Sequence, residues 1–137
     1  GSLELLPVSI ITPHPGEMSR LMDISVSEIQ ADRENAAREA AARFRTIVVL
    51  KGDKTVVSDG EKVYTNQTGN PGMATAGMGD VLTGVISSLL SQDLSPWDAA
   101  CSGVYLHGAA GDLAYKDKSV GLIAGDVVEM LPEVMLN

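Results

Sequence analysis

Apolar residues along this chain take two different spacings. Val8 to Ile11 and Ile47 to Leu50 are short, largely β-branched runs, too brief for helices, and they predict buried strands. Thr55 to Ser58 and Lys62 to Thr65 predict two further short strands, with Asp59-Gly60 as the hairpin turn between them. Elsewhere the spacing is helical. Pro15-Gly16-Glu17 opens a short helix that reaches about Met22. Ser25 or Ser27 can cap a long Ala-, Glu- and Arg-rich helix to about Arg43, and Glu28 completes a capping-box pattern with Ser25. Val81, Leu82, Val85, Ile86, Leu89 and Leu90 mark a helix that opens near Asp80 and ends about Ser91. Ser95-Pro96-Trp97-Asp98 supplies a cap, a proline at the first helical position and an early acid, and predicts a helix to about Tyr115. Gly125-Asp126 begins a final helix that Pro132 interrupts.

Strands alternating with helices predict α/β layering around a largely parallel sheet. Ligands of such sheets collect at the carboxyl ends of the strands. Thr12 to Glu17 and Lys51 to Thr55 both follow a predicted strand directly. The charges of the long Ala-rich helix read as a solvated face. Gly103, Gly108, Ala109, Ala110 and Gly111 leave one helix with little bulk, which predicts close packing on another helix or on the sheet.

The chain of 137 residues fits one domain with a sizeable core, and 45% apolar with 20% charged residues is a globular composition. Aromatics are scarce at 4%, so the core must rest on Ala, Val, Leu, Ile and Met. A net charge of −8 argues against a nucleic-acid or anionic-membrane partner. It leaves room for an anionic nucleotide held by backbone amides and a lysine. No signal peptide and no membrane-spanning run is evident, so a cytoplasmic protein is the default expectation. Gly1-Ser2 reads as a remnant of tag removal, leaving residues 3–137 as the domain.

The chemistry concentrates in Asn70 to Gly84 (N-P-G-M-A-T-A-G-M-G-D-V-L-T-G). A glycine-rich turn opening straight into a helix presents unpaired N–H groups, and the helix dipole adds roughly half a positive charge there. Such a turn suits a phosphate or a developing phosphoryl anion. Asp80 in the first turn would repel phosphate. It reads either as a helix cap or as a base taking a proton from a hydroxyl that attacks phosphorus. Lys51-Gly52-Asp53-Lys54-Thr55 places a cation, a flexible glycine and a hydroxyl at a strand end, as a nucleotide contact or as an ordinary surface hairpin. His107 reads as a satisfied buried histidine, Asp112 as belonging to the other side of the same helix, and lone Cys101 as a small buried residue. No cluster has zinc-site spacing.

Four segments occur in order: Thr12-Pro13-His14-Pro15-Gly16-Glu17, Lys51 to Thr55, Asn70 to Asp80, and Gly103-Val104-Tyr105-Leu106-His107-Gly108-Ala109-Ala110-Gly111-Asp112. Together they closely resemble the ADP-dependent NAD(P)H-hydrate dehydratases, a branch of the ribokinase-like superfamily, from about Ile10 onward. The resemblance implies a layered α/β/α fold. A complete domain of that family is about twice as long, so the chain is expected to be its C-terminal half. The implied reaction is repair of hydrated NADH or NADPH. ADP phosphorylates the ring hydroxyl, phosphate is eliminated, and Mg2+ accompanies the diphosphate.

In that resemblance His14 contacts the hydrated nicotinamide, and Lys51, Gly52, Asp53, Lys54, Thr55 and Gly79 contact the adenine nucleotide. Asp80 is the base and touches the substrate. The amides of Ala76, Gly77, Met78 and Gly79 form the anion hole, and Glu17 organises magnesium indirectly. The His at position 14 departs from the T-P-N-x-x-E element of related vitamin kinases. A small-alcohol kinase and an inactive nucleotide-binding half-domain stay open as other readings. The expected partners are hydrated NAD(P)H, adenine nucleotide, and either a second copy of the chain or the absent N-terminal half.

Overall fold

The computed structural model describes residues 9–70, 73, 77–118 and 128. The elements in order are β1 (Ile10–Ile11), α1 (Pro15–Met22), α2 (Val26–Ala31), α3 (Arg33–Phe44), β2 (Ile47–Leu50), β3 (Val56–Ser58), β4 (Val63–Thr65), α4 (Met78–Leu90) and α5 (Pro96–Lys118). The expected Gly125-Asp126 helix start and Pro132 lie outside the described residues, as does Val8 of the first predicted strand.

The sheet order is β1-β2-β3-β4. β1 pairs with β2 in parallel, Ile10 opposite Ile47 and Ile11 opposite Val48. The hairpin then adds two antiparallel pairings, with Val49 opposite Val57 and Val57 opposite Tyr64. Among the described residues the sheet is therefore mixed, with the parallel pairing at the β1 edge. Asp59 closes the hairpin: its Oδ1 accepts the N–H groups of Glu61 and Lys62 at 2.9 and 2.7 Å.

Both faces of the sheet are covered, as period-two side-chain alternation requires of a central strand. Ile47, Val49 and Val57 point to one face and pack with Leu82, Val85, Ile86 and Leu89 of α4 and Ala99, Ala100 and Val104 of α5. Val48, Leu50 and Val56 point to the other and pack with Met18, Ile29 and the alanines of α3. The result is the α/β/α layering expected from the sequence. Burial of a full aliphatic side chain is worth roughly 1.5–3 kcal/mol, so these two clusters hold the strand ends in place.

The long Ala-rich helix is in fact two. Ser25 caps α2 in a capping box with Glu28, and the chain then breaks at Asp32 (φ −153°, ψ 79°), whose carboxylate accepts the Asn35 N–H at 3.1 Å and caps α3. An acid able to bond the N–H three positions on competes with helix continuation. The break lets the Ala36, Ala37, Ala40 and Ala41 stripe lie against β2 and β3. The charges of α3 are not all solvated either. Arg33 turns inward, and its guanidinium donates to the carbonyls of Leu50 and Lys51 at 3.2 and 3.4 Å. Burial pulls its pKa below the ordinary value, with the Asp53 carboxylate acting in opposition.

The small residues of α5 admit close neighbours. A Cβ on Gly103 would lie 2.7 Å from Ile86 Cγ1, so α4 and α5 meet nearly backbone to side chain. Cys101 packs beside this core, and burial pushes its thiol up to about 11. It is an inert small apolar residue.

Candidate functional site

The parallel register of β1 on β2 brings two strand ends side by side, and the Lys51 N–H donates to the Pro13 carbonyl at 2.9 Å. His14 and Pro15, with Lys51 to Thr55, thereby form one rim of a cavity of about 750 Å³. Its other walls are the Asn66–Asn70 loop, the opening of α4 at Met78 and Gly79, and Val104, His107 and Gly108 of α5.

His14 and Glu17 form a reciprocal capping box on α1. The Glu17 N–H donates to His14 Nδ1 at 3.1 Å, and the His14 N–H donates to Glu17 Oε1 at 3.0 Å. The bond from the His14 backbone is the main influence holding the Glu17 carboxyl below its usual range, and Lys51 and Arg20 add to it. The cap fixes the imidazole at the cavity rim, with Nε2 3.5 Å from Glu17 Oε1.

Lys51-Gly52-Asp53-Lys54-Thr55 is a tight turn between β2 and β3. Gly52 has φ +151°, and a Cβ there would lie 2.9 Å from the Arg33 guanidinium, which is itself tied to two carbonyls. Only glycine meets both demands. Lys54 has φ +58°, and its ammonium donates to Gln67 Oε1 at 3.0 Å, joining the turn to the opposite loop.

Gly77 is the N-cap of α4 at φ +86°, and no side chain caps that end. The first-turn N–H groups of α4 are thus left for another acceptor. Lys51 Nζ stands over the same turn, 3.0 Å from where a Cβ on Gly79 would be. Among the described residues Lys51 forms no ion pair. A cation beside the positive end of a helix dipole is unfavourable unless an anion sits between them. Asp80 follows as the third helical residue. It is exposed, lies outside the cavity lining and makes no hydrogen bond among the described residues. A helix-capping role for its side chain therefore has no contact behind it.

The model of the family described as NAD(P)H-hydrate dehydratase matches residues 7–133. This chain belongs to that family. It is 50% identical over 131 residues to the bifunctional NAD(P)H-hydrate repair enzyme of Moorella thermoacetica, covering 93% of this chain and 24% of the relative. Its fold matches the ADP/ATP-dependent NAD(P)H-hydrate dehydratase of Bacillus subtilis, co-crystallised with ATP/Mg2+ and soaked with CoA, at a TM-score of 0.88 and 39% identity. That match covers 94% of this chain and 48% of the other. A ribokinase-like superfamily protein of Enterococcus faecalis superposes at a TM-score of 0.79 with 29% identity, covering 93% of this chain and 44% of the other. The fold is ribokinase-like, and the chain spans about half or less of the length of these relatives.

Within the NAD(P)H-hydrate dehydratase frame, His14, Lys51 to Thr55, Met78 and Gly79 line one cavity. Asp80, Gly77 and Glu17 stand outside its lining, and Ala76 lies outside the described residues. Two groups make arrangements that the sequence does not show. His107 is buried as expected, but among the described residues its Nε2 has no partner, and it lines the cavity. Burial lowers its pKa to about 4, against the pull of the Met78 backbone, so the ring is neutral at pH 7. Asp112 does not merely face away; it bonds the loop that walls the cavity. No sequence signal marked it, because its partners are more than 40 positions distant. Among the described residues no three His, Cys, Asp or Glu side chains form a metal cluster, and no helix is long and apolar enough to cross a membrane.

Proposed function

We propose that this cavity binds the adenine nucleotide of an ADP-dependent NAD(P)H-hydrate dehydratase reaction, with phosphate at the α4 opening beneath Lys51. The observation that carries this reading is the pairing of the Lys51 ammonium with Gly79 at an uncapped helix N-terminus. The N–H groups of Gly77, Met78 and Gly79, with that of Ala76, hold the transferring phosphoryl group. The Lys51–Thr55 turn holds the rest of the nucleotide. His14 contacts the hydrated nicotinamide from the rim.

Asp80 takes the proton of the ring hydroxyl as that oxygen attacks the β-phosphorus. The new O–P bond forms, the bridging P–O bond breaks, and AMP departs. The ring then loses phosphate with its C–O bond and a proton from the neighbouring carbon, which restores the reduced nicotinamide. Phosphate leaves far more readily than hydroxide, which is why the nucleotide is consumed.

The donor set fits magnesium only as an ion carried by the diphosphate. The described residues supply no protein cage, and magnesium is commonly held by substrate phosphates with one or two carboxylates. Glu17 is the carboxylate that would act indirectly in that role, and the ion would neutralise diphosphate charge. Because relatives are longer, turnover is proposed to need the remainder of the domain, whether on the same polypeptide or in a companion chain. β1 is an edge of the described sheet and offers a strand for that association.

The test is a coupled assay on hydrated NADH with ADP. Release of inorganic phosphate in step with NADH is expected, at least when the rest of the domain is supplied. Accumulation of a stable phosphorylated product would instead identify a kinase.

A further inference from the structure

Asp112 on α5 uses both carboxylate oxygens on one loop. One accepts the Gly69 N–H at 3.0 Å, and the other accepts Asn70 Nδ2 at 2.9 Å. An ionised carboxylate offers only acceptors. It therefore dictates the orientation of the Asn70 amide: the amino group must face Asp112, and the carbonyl oxygen must turn away. That oxygen is buried and has no partner among the described residues. Asn70 lines the same cavity as Lys51 and Gly79.

The rest of the loop is seated on the same helix. Asn66 Nδ2 donates to the Val104 carbonyl at 3.4 Å, and Thr68 Oγ1 donates to the Tyr105 carbonyl at 3.0 Å. Gly108 leaves no room for a Cβ beside Thr68. These contacts hold the loop against α5, and buried acceptors in native proteins are seldom left unpaired. A ligand donor would complete it.

We propose that Asp112 is a positioning residue that turns the Asn70 carbonyl oxygen toward the cavity, where it accepts a hydrogen bond from the nucleoside part of the bound nucleotide. The donor is the amino group of the base or a ribose hydroxyl. This inference rests on the nucleotide reading above.

The test is calorimetric titration of the chain with ADP, inosine diphosphate, and 2′- and 3′-deoxy-ADP. The wild type is expected to bind ADP on the order of 10-fold more tightly than at least one analogue. Asn70→Ala should erase that preference while keeping the Asp112–Gly69 bond, an effect a purely structural loop residue does not produce. Loss of the preference against the inosine nucleotide assigns the base amino group; loss against a deoxy analogue assigns the ribose.

Asp112→Asn should weaken ADP on the order of 10-fold, because its amino group forces the Asn70 amide to rotate. The exchanged pair Asn70→Asp/Asp112→Asn restores both bonds and an acceptor facing the cavity, so it should recover ADP affinity to within about 3-fold. An Asn70→Ala protein that keeps the wild-type preference, or a wild type with none, overturns the proposal. So does an Asp112→Asn protein that binds ADP normally, or an exchanged pair that stays weak. A folded wild type that fails to bind ADP at all overturns the nucleotide reading as well.

Discussion

The Lys51 ammonium lies 3.0 Å from the point a Cβ on Gly79 would occupy, so one methyl group at position 79 would push directly against the charge that faces the α4 opening. The neighbour in the way is the far end of a flexible side chain, not backbone. Gly79 also carries no positive φ. Backbone strain gives no reason for glycine here.

Gly79→Ala should therefore separate binding from folding. Alanine in a helix is worth up to about 1 kcal/mol over glycine. The melting temperature is expected to hold or rise slightly. ADP affinity should fall about 10-fold or more as the ammonium and the first-turn amides are displaced. Thermal denaturation and calorimetry on the same sample check both halves. Unchanged ADP affinity would sink the anion site.

Asp80→Asn should do the reverse at the level of chemistry. The carboxylate has no structural bond among the described residues and lies outside the cavity lining. Stability and ADP affinity should stay within a few-fold of wild type. Turnover in the active assembly should fall roughly 100-fold or more if the proton of the attacking hydroxyl has lost its acceptor. Near-normal turnover would remove Asp80 as the base.

These two residues were legible in the chain because a glycine turn running into an apolar helix is a local signal. Pro15 to Met22, Ile47 to Leu50 and the Asp59-Gly60 hairpin were legible for the same reason. The break at Asp32 was not. Good helix formers on both sides hide a cap that works by competing for one N–H. The inward turn of Arg33 was hidden by its place in a charged helix. Nor was the Asp112 contact with Asn70 legible, since it depends on how a loop folds back across a distant helix.

His107 gives a pH signature. Its folded pKa, about 4, lies below the ordinary histidine value, so between these limits the unfolded chain binds more protons than the folded one. Stability is then fully present above about pH 6.5 and is lost as pH falls toward 4. The loss amounts to about 3 kcal/mol across that window. The depressed carboxyls of Glu17 and Asp59 respond only below their own ordinary values, under about pH 4.5. The interval from 6.5 to 5 therefore isolates the histidine. His107→Phe removes the titrating group, and its melting temperature should change less with pH there. A wild-type melting curve that is flat from pH 6.5 to 5 would contradict a buried neutral ring.

Gly108→Ala makes the same chemical change as Gly79→Ala with the opposite expected result. Both glycines are helical, so propensity alone favours alanine at each. At Gly108 the new Cβ would meet the Thr68 side chain and, at 2.8 Å, the Thr68 backbone carbonyl carbon. Backbone cannot swing aside as a lysine tip can. Thr68 is held to the Tyr105 carbonyl, and neighbouring Gly69 is held by Asp112. Overpacking against a fixed segment costs about 1–3 kcal/mol, which outweighs the propensity gain. The variant should melt several degrees lower, and its ADP affinity should drop because the displaced loop is one wall of the cavity. Denaturant melts run beside ADP titration read both effects. A Gly108→Ala protein more stable than wild type would mean that α5 and the Asn66–Asn70 loop are not packed as closely as this geometry requires.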